Sequence, residues 1–221
     1  MNINIAIDGP SAVGKSTIAD ILAQNLGIVH LDTGAMYRAV ALQAIRNNID
    51  LANEERIVEM IHNMDLDMKS DGRVILNGED ISGLIRTNEI SMAASTVSKL
   101  LGCRAALVKI QQKICENGGY VLDGRDIGTV VLKDAPVKIF MIASAEARAK
   151  RRVLQNQEKG IEGDDYETIL QEIQKRDYQD SHRENSPLKK ADDAIELDTS
   201  DMTIEEVAQR VTEIIREKTG D

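Results

Sequence analysis

The sequence predicts an α/β protein: a five-stranded parallel sheet flanked by helices, carrying a large insert and a smaller charged lid. Three observations predict it. Short apolar runs alternate with helix-spaced segments along the 221 residues, the pattern of a parallel sheet covered on both faces. A glycine-rich octapeptide, Gly9–Ser16, lies between the first apolar run and the first helical segment. The core must also be aliphatic, because aromatics supply 2% of a chain that is 42% hydrophobic, with one Phe and no Trp. Helices laid on an Ile, Leu and Val sheet suit that composition.

Taken in order, Ile3–Ile7 reads as the first strand, bounded by Asp8, Gly9 and Pro10, and Lys15–Leu26 as a helix stopped by Gly27. Ile28–Leu31, Tyr120–Leu122, Val137–Ile142 and Ala194–Leu197 supply the other four strands. Between about 35 and 118 the pattern changes to several helices and one hairpin, Leu66–Lys69 with Arg73–Asn77, turning at Ser70-Asp71-Gly72. We read this as an inserted substrate-side subdomain. From about 148 to 185 the chain reads as a helix, a mobile turn containing Gly160 and Gly163, and a second helix, which makes a lid. The core is then about 1–34, 119–147 and 186–221. With no internal repeat, low-complexity tract or Pro-rich linker, the whole chain 1–221 reads as one domain.

Charge narrows the partners. Acidic residues number 37 against 27 basic, a net charge of -10, which opposes attraction to nucleic acid or an anionic membrane. The scarcity of aromatic stacking residues argues the same way for single strands. The balance is uneven, however: Arg148 to Lys190 holds 10 basic and 9 acidic residues, so a local anion site is compatible with the acidic whole. Cys103 and Cys115 are twelve helical steps apart, about 18 Å, too far to bridge, and read as reduced thiols of a cytoplasmic protein. Met1 leads directly into the first strand, without a basic leader or an 18-residue apolar stretch. A soluble monomer is expected. His30, His62 and His182 are scattered, show no metal-ligand spacing, and read as structural or surface residues.

Gly9-Pro10-Ser11-Ala12-Val13-Gly14-Lys15-Ser16 fits GxxxxGKS, followed by Thr17. Chemistry explains the residue types. Glycines let the backbone N–H groups curl toward phosphate oxygens, and the helix beginning near Lys15 adds its positive end. Lys15 neutralises the β- and γ-phosphates of ATP, and Ser16 offers a hydroxyl to Mg2+. A second carboxylate is wanted beside that ion at a neighbouring strand end. Asp123 is the candidate, directly or through water, and Asp32 the weaker competitor.

Phosphoryl transfer crowds negative charges together, so guanidinium groups are needed around both substrates. Arg38 and Arg125 follow strand ends, where ligands of open parallel sheets bind. Arg148, Arg151 and Arg152, at i, i+3 and i+4, share a helix face suited to ATP, and Arg176 and Arg183 follow.

Three motifs in order, Asp8–Thr17, Asp32–Arg38 and Asp123–Thr129, together with Lys175-Arg176-Asp177, Asp180–Arg183 and Ser186-Pro187-Leu188, resemble the bacterial cytidylate kinase family over essentially the whole chain. The resemblance implies a P-loop NTPase core that transfers phosphate from ATP to CMP or dCMP with Mg2+. By that resemblance Ser95, Arg104 and Asp126 contact cytosine, and Arg38, Arg125 and Arg183 the acceptor phosphate. Arg176 and Asp180 fall to the ribose, and Thr33 joins the substrate contacts. Lys15, Arg125, Arg152 and Arg183 are then the catalytic cations. A cytosine edge has an amino donor that uracil lacks, so a carboxylate such as Asp126 can tell them apart.

Overall fold

A computed structural model describes residues 2–158 and 165–220. The chain runs β1 (Asn4–Asp8), α1 (Lys15–Leu26), β2 (Val29–Asp32), α2 (Thr33–Arg46), α3 (Glu54–His62), β3 (Leu66–Met68), β4 (Val74–Leu76), β5 (Glu79–Asp80), α4 (Asn88–Val97), α5 (Leu101–Ile114), β6 (Tyr120–Gly124), β7 (Val137–Ile142), α6 (Ala145–Glu158), α7 (Tyr166–His182), β8 (Ile195–Asp198) and α8 (Ile204–Thr219). Single turns at Leu84–Arg86 and Ile127–Val131 complete it. The expected lid turn with Gly160 and Gly163 lies outside the described residues.

Five strands form one parallel sheet in the order β2-β6-β1-β7-β8. Alternation along each strand sends side chains to two cores. Ile5, Ile7 and Val121 pack with Leu22 of α1 and Val211 of α8, whereas Ala6, Leu31 and Leu122 pack with Met36, Val40 and Leu107 on the other face. Each fully buried aliphatic side chain contributes about 1.5–3 kcal/mol, so the sheet is a rigid base for the loops at its carboxyl edge. The two cysteines are free and buried.

The hairpin forms where the pattern predicts it, two residues shorter on its second arm, with Gly72 at φ +82 in the turn. A third, two-residue strand, Glu79–Asp80, adds to β4 and was not expected; it is too short to carry a periodic signal. Helix ends follow capping chemistry. Asp32 accepts from Ala35 N to start α2, and Thr203 with Glu206 forms a capping box on α8.

Candidate active site

The carboxyl ends of β1, β2 and β6 bring Asp8, Asp32 and Asp123 to one edge, with Asp32 opposite Asp123 and Asp8 opposite Gly124 in the register. The phosphate loop leaves β1 at Gly9. Gly9 has φ +153, and a Cβ there would collide with the Met141 carbonyl, so only glycine fits. Gly14, at φ +98, precedes α1, whose first turn has neither a side-chain cap nor an acidic residue. Those amides are therefore free to face an anion.

Lys15 is 5% exposed and donates from Nζ to the Pro10 carbonyl at 2.7 Å. Burial, and then the charge of Arg125, pull its pKa down to about 7. Ser16 donates to Asp123 Oδ2 at 2.8 Å. These are hard oxygen donors of the kind Mg2+ accepts while sharing its remaining positions with water and phosphate. Among the described residues no cluster of three His, Cys, Asp or Glu side chains is arranged to hold a metal. Asp32, the competitor, is committed elsewhere: Oδ1 caps α2 and Oδ2 accepts from Arg38 Nη2 at 2.7 Å.

His30 has a larger place than a structural or surface reading gives it. Its Nε2 lies 2.8 Å from Asp123 Oδ1 and its Nδ1 2.7 Å from Asp20 Oδ1. Burial opposes its charge, but hydrogen bonds and charges from Asp123 and Asp20 win, raising its pKa to about 9. Burial likewise disfavours the Asp123 carboxylate, yet His30, Lys15 and Ser16 together hold its pKa below the ordinary value. Thr33 is buried and donates to the Asp123 carbonyl at 2.7 Å, fixing the same strand end.

Beside this edge lies an arginine cluster. Arg104 and Asp126, each 5% exposed, form a buried pair through Nη2 and Oδ2, with the guanidinium 5.5 Å from the centre of the Tyr37 ring. Arg183 Nη2 stands 4.0 Å from the other Asp126 oxygen. Arg125 Nε donates to Asp180 Oδ2 at 2.7 Å. Arg176 is squeezed by burial and by Arg125, Arg38 and Arg152, which lower its pKa to about 10 despite Asp180. Arg38 Nε, Arg104 Nε, Arg176 Nε and Arg183 Nη2 are buried without any hydrogen-bond partner. Buried donors are normally paired, so four orphans in one charged cluster leave hydrogen-bonding capacity that an anion could take up.

The predicted face of Arg148, Arg151 and Arg152 divides. Arg148 is buried, with Nη1 donating to the Ser11 carbonyl at 3.1 Å and Nη2 to Asp177 at 2.6 Å. Arg151 binds the Thr199 carbonyl and hydroxyl. Only Arg152 is left exposed, touching Gln155. Helix packing under the loop consumes the first two, which spacing alone does not reveal. Ser95 is half-buried on α4, and its hydroxyl is bonded to none of these groups among the described residues.

The model of the cytidylate kinase family matches residues 5–217. The chain belongs to the cytidylate kinase family. It is 52% identical to the cytidylate kinase of Lactobacillus johnsonii over 219 residues, covering 98% of this chain and 95% of that one. It is 48% identical to the cytidylate kinase of Bacillus subtilis, covering 98% and 97%. The kinase fold is more widely shared. A shikimate kinase from Bacteroides thetaiotaomicron superposes with a TM-score of 0.51 at 12% identity, over 98% of this chain and 99% of its own. An uncharacterized protein from Eubacterium ventriosum reaches 0.55 at 14%, over 98% and 99%. Among the described residues of this family member, no helix is long and apolar enough to cross a membrane.

Proposed function

We propose that this chain transfers the γ-phosphoryl group of ATP in line to CMP or dCMP, giving ADP and CDP or dCDP. The observation that carries the reading is the set of buried guanidinium donors without partners, Arg104 and Arg183 beside Asp126, Arg38 beside Asp32 and Arg176 near Asp180, next to the phosphate loop.

The residues divide the work. Loop residues 9–17 cradle the donor phosphates, and Lys15 exchanges the Pro10 carbonyl for them. Arg38, Arg125 and Arg183 hold the acceptor phosphate, and Arg176 and Asp180 the ribose. Asp126, Arg104 and Ser95 read the cytosine, and Thr33 joins the substrate contacts. A Mg2+ ion would supply positive charge to the donor phosphates, and Ser16 and Asp123 are the residues that would hold it, Asp123 directly or through water. No general base is required, because the acceptor phosphate is already a nucleophilic anion and catalysis is positioning plus electrostatics. Lys15, Arg125, Arg152 and Arg183 spread the charge that develops during transfer. Residues 35–118 act as the acceptor-binding insert and 148–185 as a lid that excludes water. The enzyme works as a cytoplasmic monomer on its two nucleotides, without nucleic acid or membrane.

ADP release with ATP and Mg2+ tests this, with CMP, dCMP, UMP, AMP, GMP and shikimate offered separately against a no-acceptor control. Rapid turnover with CMP and dCMP, slower with UMP and negligible with the rest is expected. Hydrolysis independent of acceptor would overturn it.

A further inference from the structure

Asp8 has no role in the reading above, yet it is one of the most constrained acids in the fold. It closes β1, immediately precedes Gly9, and is 5% exposed. Both of its carboxylate oxygens are engaged: Oδ1 accepts from Ile127 N at 2.8 Å and Oδ2 from Gly128 N at 2.7 Å. These two amides begin the short turn Ile127–Val131, directly after Arg125 and Asp126.

The first amides of a helical turn have no partner within it and take an acceptor from outside. The residue at the cap position is Asp126, a side-chain type that ordinarily fills that need itself. Here Asp126 makes no capping bond. Its carboxylate points instead to Arg104 and Arg183, while its carbonyl accepts from Val130 N at 2.9 Å. Asp8 therefore performs from another strand the capping that Asp126 would perform locally, and so releases the Asp126 carboxylate to the substrate side. Gly128 is packed closely against it, since a Cβ there would stand 3.4 Å from Asp8 Oδ2 and 3.2 Å from the Lys138 stem.

We propose that Asp8 is a positioning residue for base discrimination: by capping the Ile127–Val131 turn it fixes Asp126 in the orientation that separates cytosine from uracil. This rests on the assignment of Asp126 to the base. It also ties the residue that starts the ATP loop to the segment that reads the acceptor, so both sites hang from one strand end. The charged groups facing Asp8 are Lys15 from the phosphate loop, Asp126 from the segment after β6, and Lys138 of β7, whose ammonium is bound to Asp193. Burial is the main influence on Asp8 and raises its pKa to about 6.

Asp8→Asn is the first test. Its amide offers one acceptor in place of two and turns an NH2 group toward a backbone N–H. The ratio of kcat/KM for CMP to that for UMP should fall at least about tenfold, the scale on which one stranded polar group acts, with the thermal midpoint of the variant reporting its fold. An unchanged ratio in a folded variant, or equal losses on both acceptors, overturns the proposal. A wild-type ratio near one would instead overturn the Asp126 assignment, so the two failures are distinguishable. Should the variant not fold, the wild-type enzyme decides: measured between pH 5 and pH 8, the same ratio should fall below about pH 6 as Asp8 takes up a proton. Ionisation of the acceptor phosphate affects both nucleotides alike and cancels. A flat ratio refutes the role of Asp8.

Discussion

Arg104 and Asp126 form a buried ion pair that Arg183 approaches from the other side, at 4.0 Å from the free carboxylate oxygen. One carboxylate thus serves two guanidinium groups while nine-tenths or more of each partner in the pair is out of water. Such a pair is costly to assemble and costlier to break, because removing one member strands the other charge.

Asp126→Ala should therefore act twice. The free enzyme should lose about 3–5 kcal/mol of stability, the cost of an uncompensated buried charge, read as a lower denaturant midpoint. Discrimination of CMP from UMP should drop about ten- to a hundredfold, since the cytosine amino group loses its acceptor. Intact selectivity in kcat/KM would remove Asp126 from base recognition.

Gly9→Ala probes the loop geometry. The added Cβ meets the Met141 carbonyl and the backbone must leave φ +153, a distortion that costs about 1–3 kcal/mol and moves the amides that face phosphate. Calorimetric titration with ATP should show affinity falling at least about tenfold while the circular dichroism spectrum is unchanged. Native affinity in this variant would show that the loop does not hold the phosphates in this conformation.

How much of this was readable beforehand depends on how local each signal is. Gly9–Ser16 and the hairpin turn at Gly72 declare themselves because their conformations are written within a few adjacent residues. Asp123 follows from a general rule about strand ends. The roles of Asp8 and His30 are not legible in sequence because they depend on partners 119 and 93 residues away, and on burial that no short window reports. Asp8 did carry a signal: an acid at the end of an apolar run, directly before the loop. The Arg148 stripe misled for the complementary reason. Periodicity gives which side chains share a face, whereas packing decides what that face meets.

Arg176 offers a test of stability exchanged for function. Burial and the neighbouring Arg125 lower its pKa to about 10, so its charge opposes folding at neutral pH when no anion is bound. Arg176→Met should raise the stability of the free enzyme by about 1–3 kcal/mol, since each pKa unit lost on burial corresponds to about 1.4 kcal/mol, and lower kcat/KM for CMP at least about tenfold. Thermal unfolding with and without CMP reads both effects: the variant should start higher and gain less from the nucleotide. A variant less stable than wild type would contradict the crowding of charge at this site.

Lys15 makes the binding of ATP proton-linked. In the free enzyme burial and Arg125 hold its pKa near 7, so at pH 8 most of the amine is neutral, and at pH 6 most is charged. Donor phosphates placed against it favour the ammonium form and raise the pKa again. Binding at pH 8 should therefore take up a proton, approaching one per ATP, and binding at pH 6 should take up almost none at this residue. The measurement is calorimetry in two buffers of different ionisation enthalpy, where the slope of observed heat against buffer heat counts protons. Lys15→Arg, which stays charged throughout, should lose the proton uptake at pH 8 even if its affinity is lower. Equal uptake in wild type and variant would place the titrating group elsewhere.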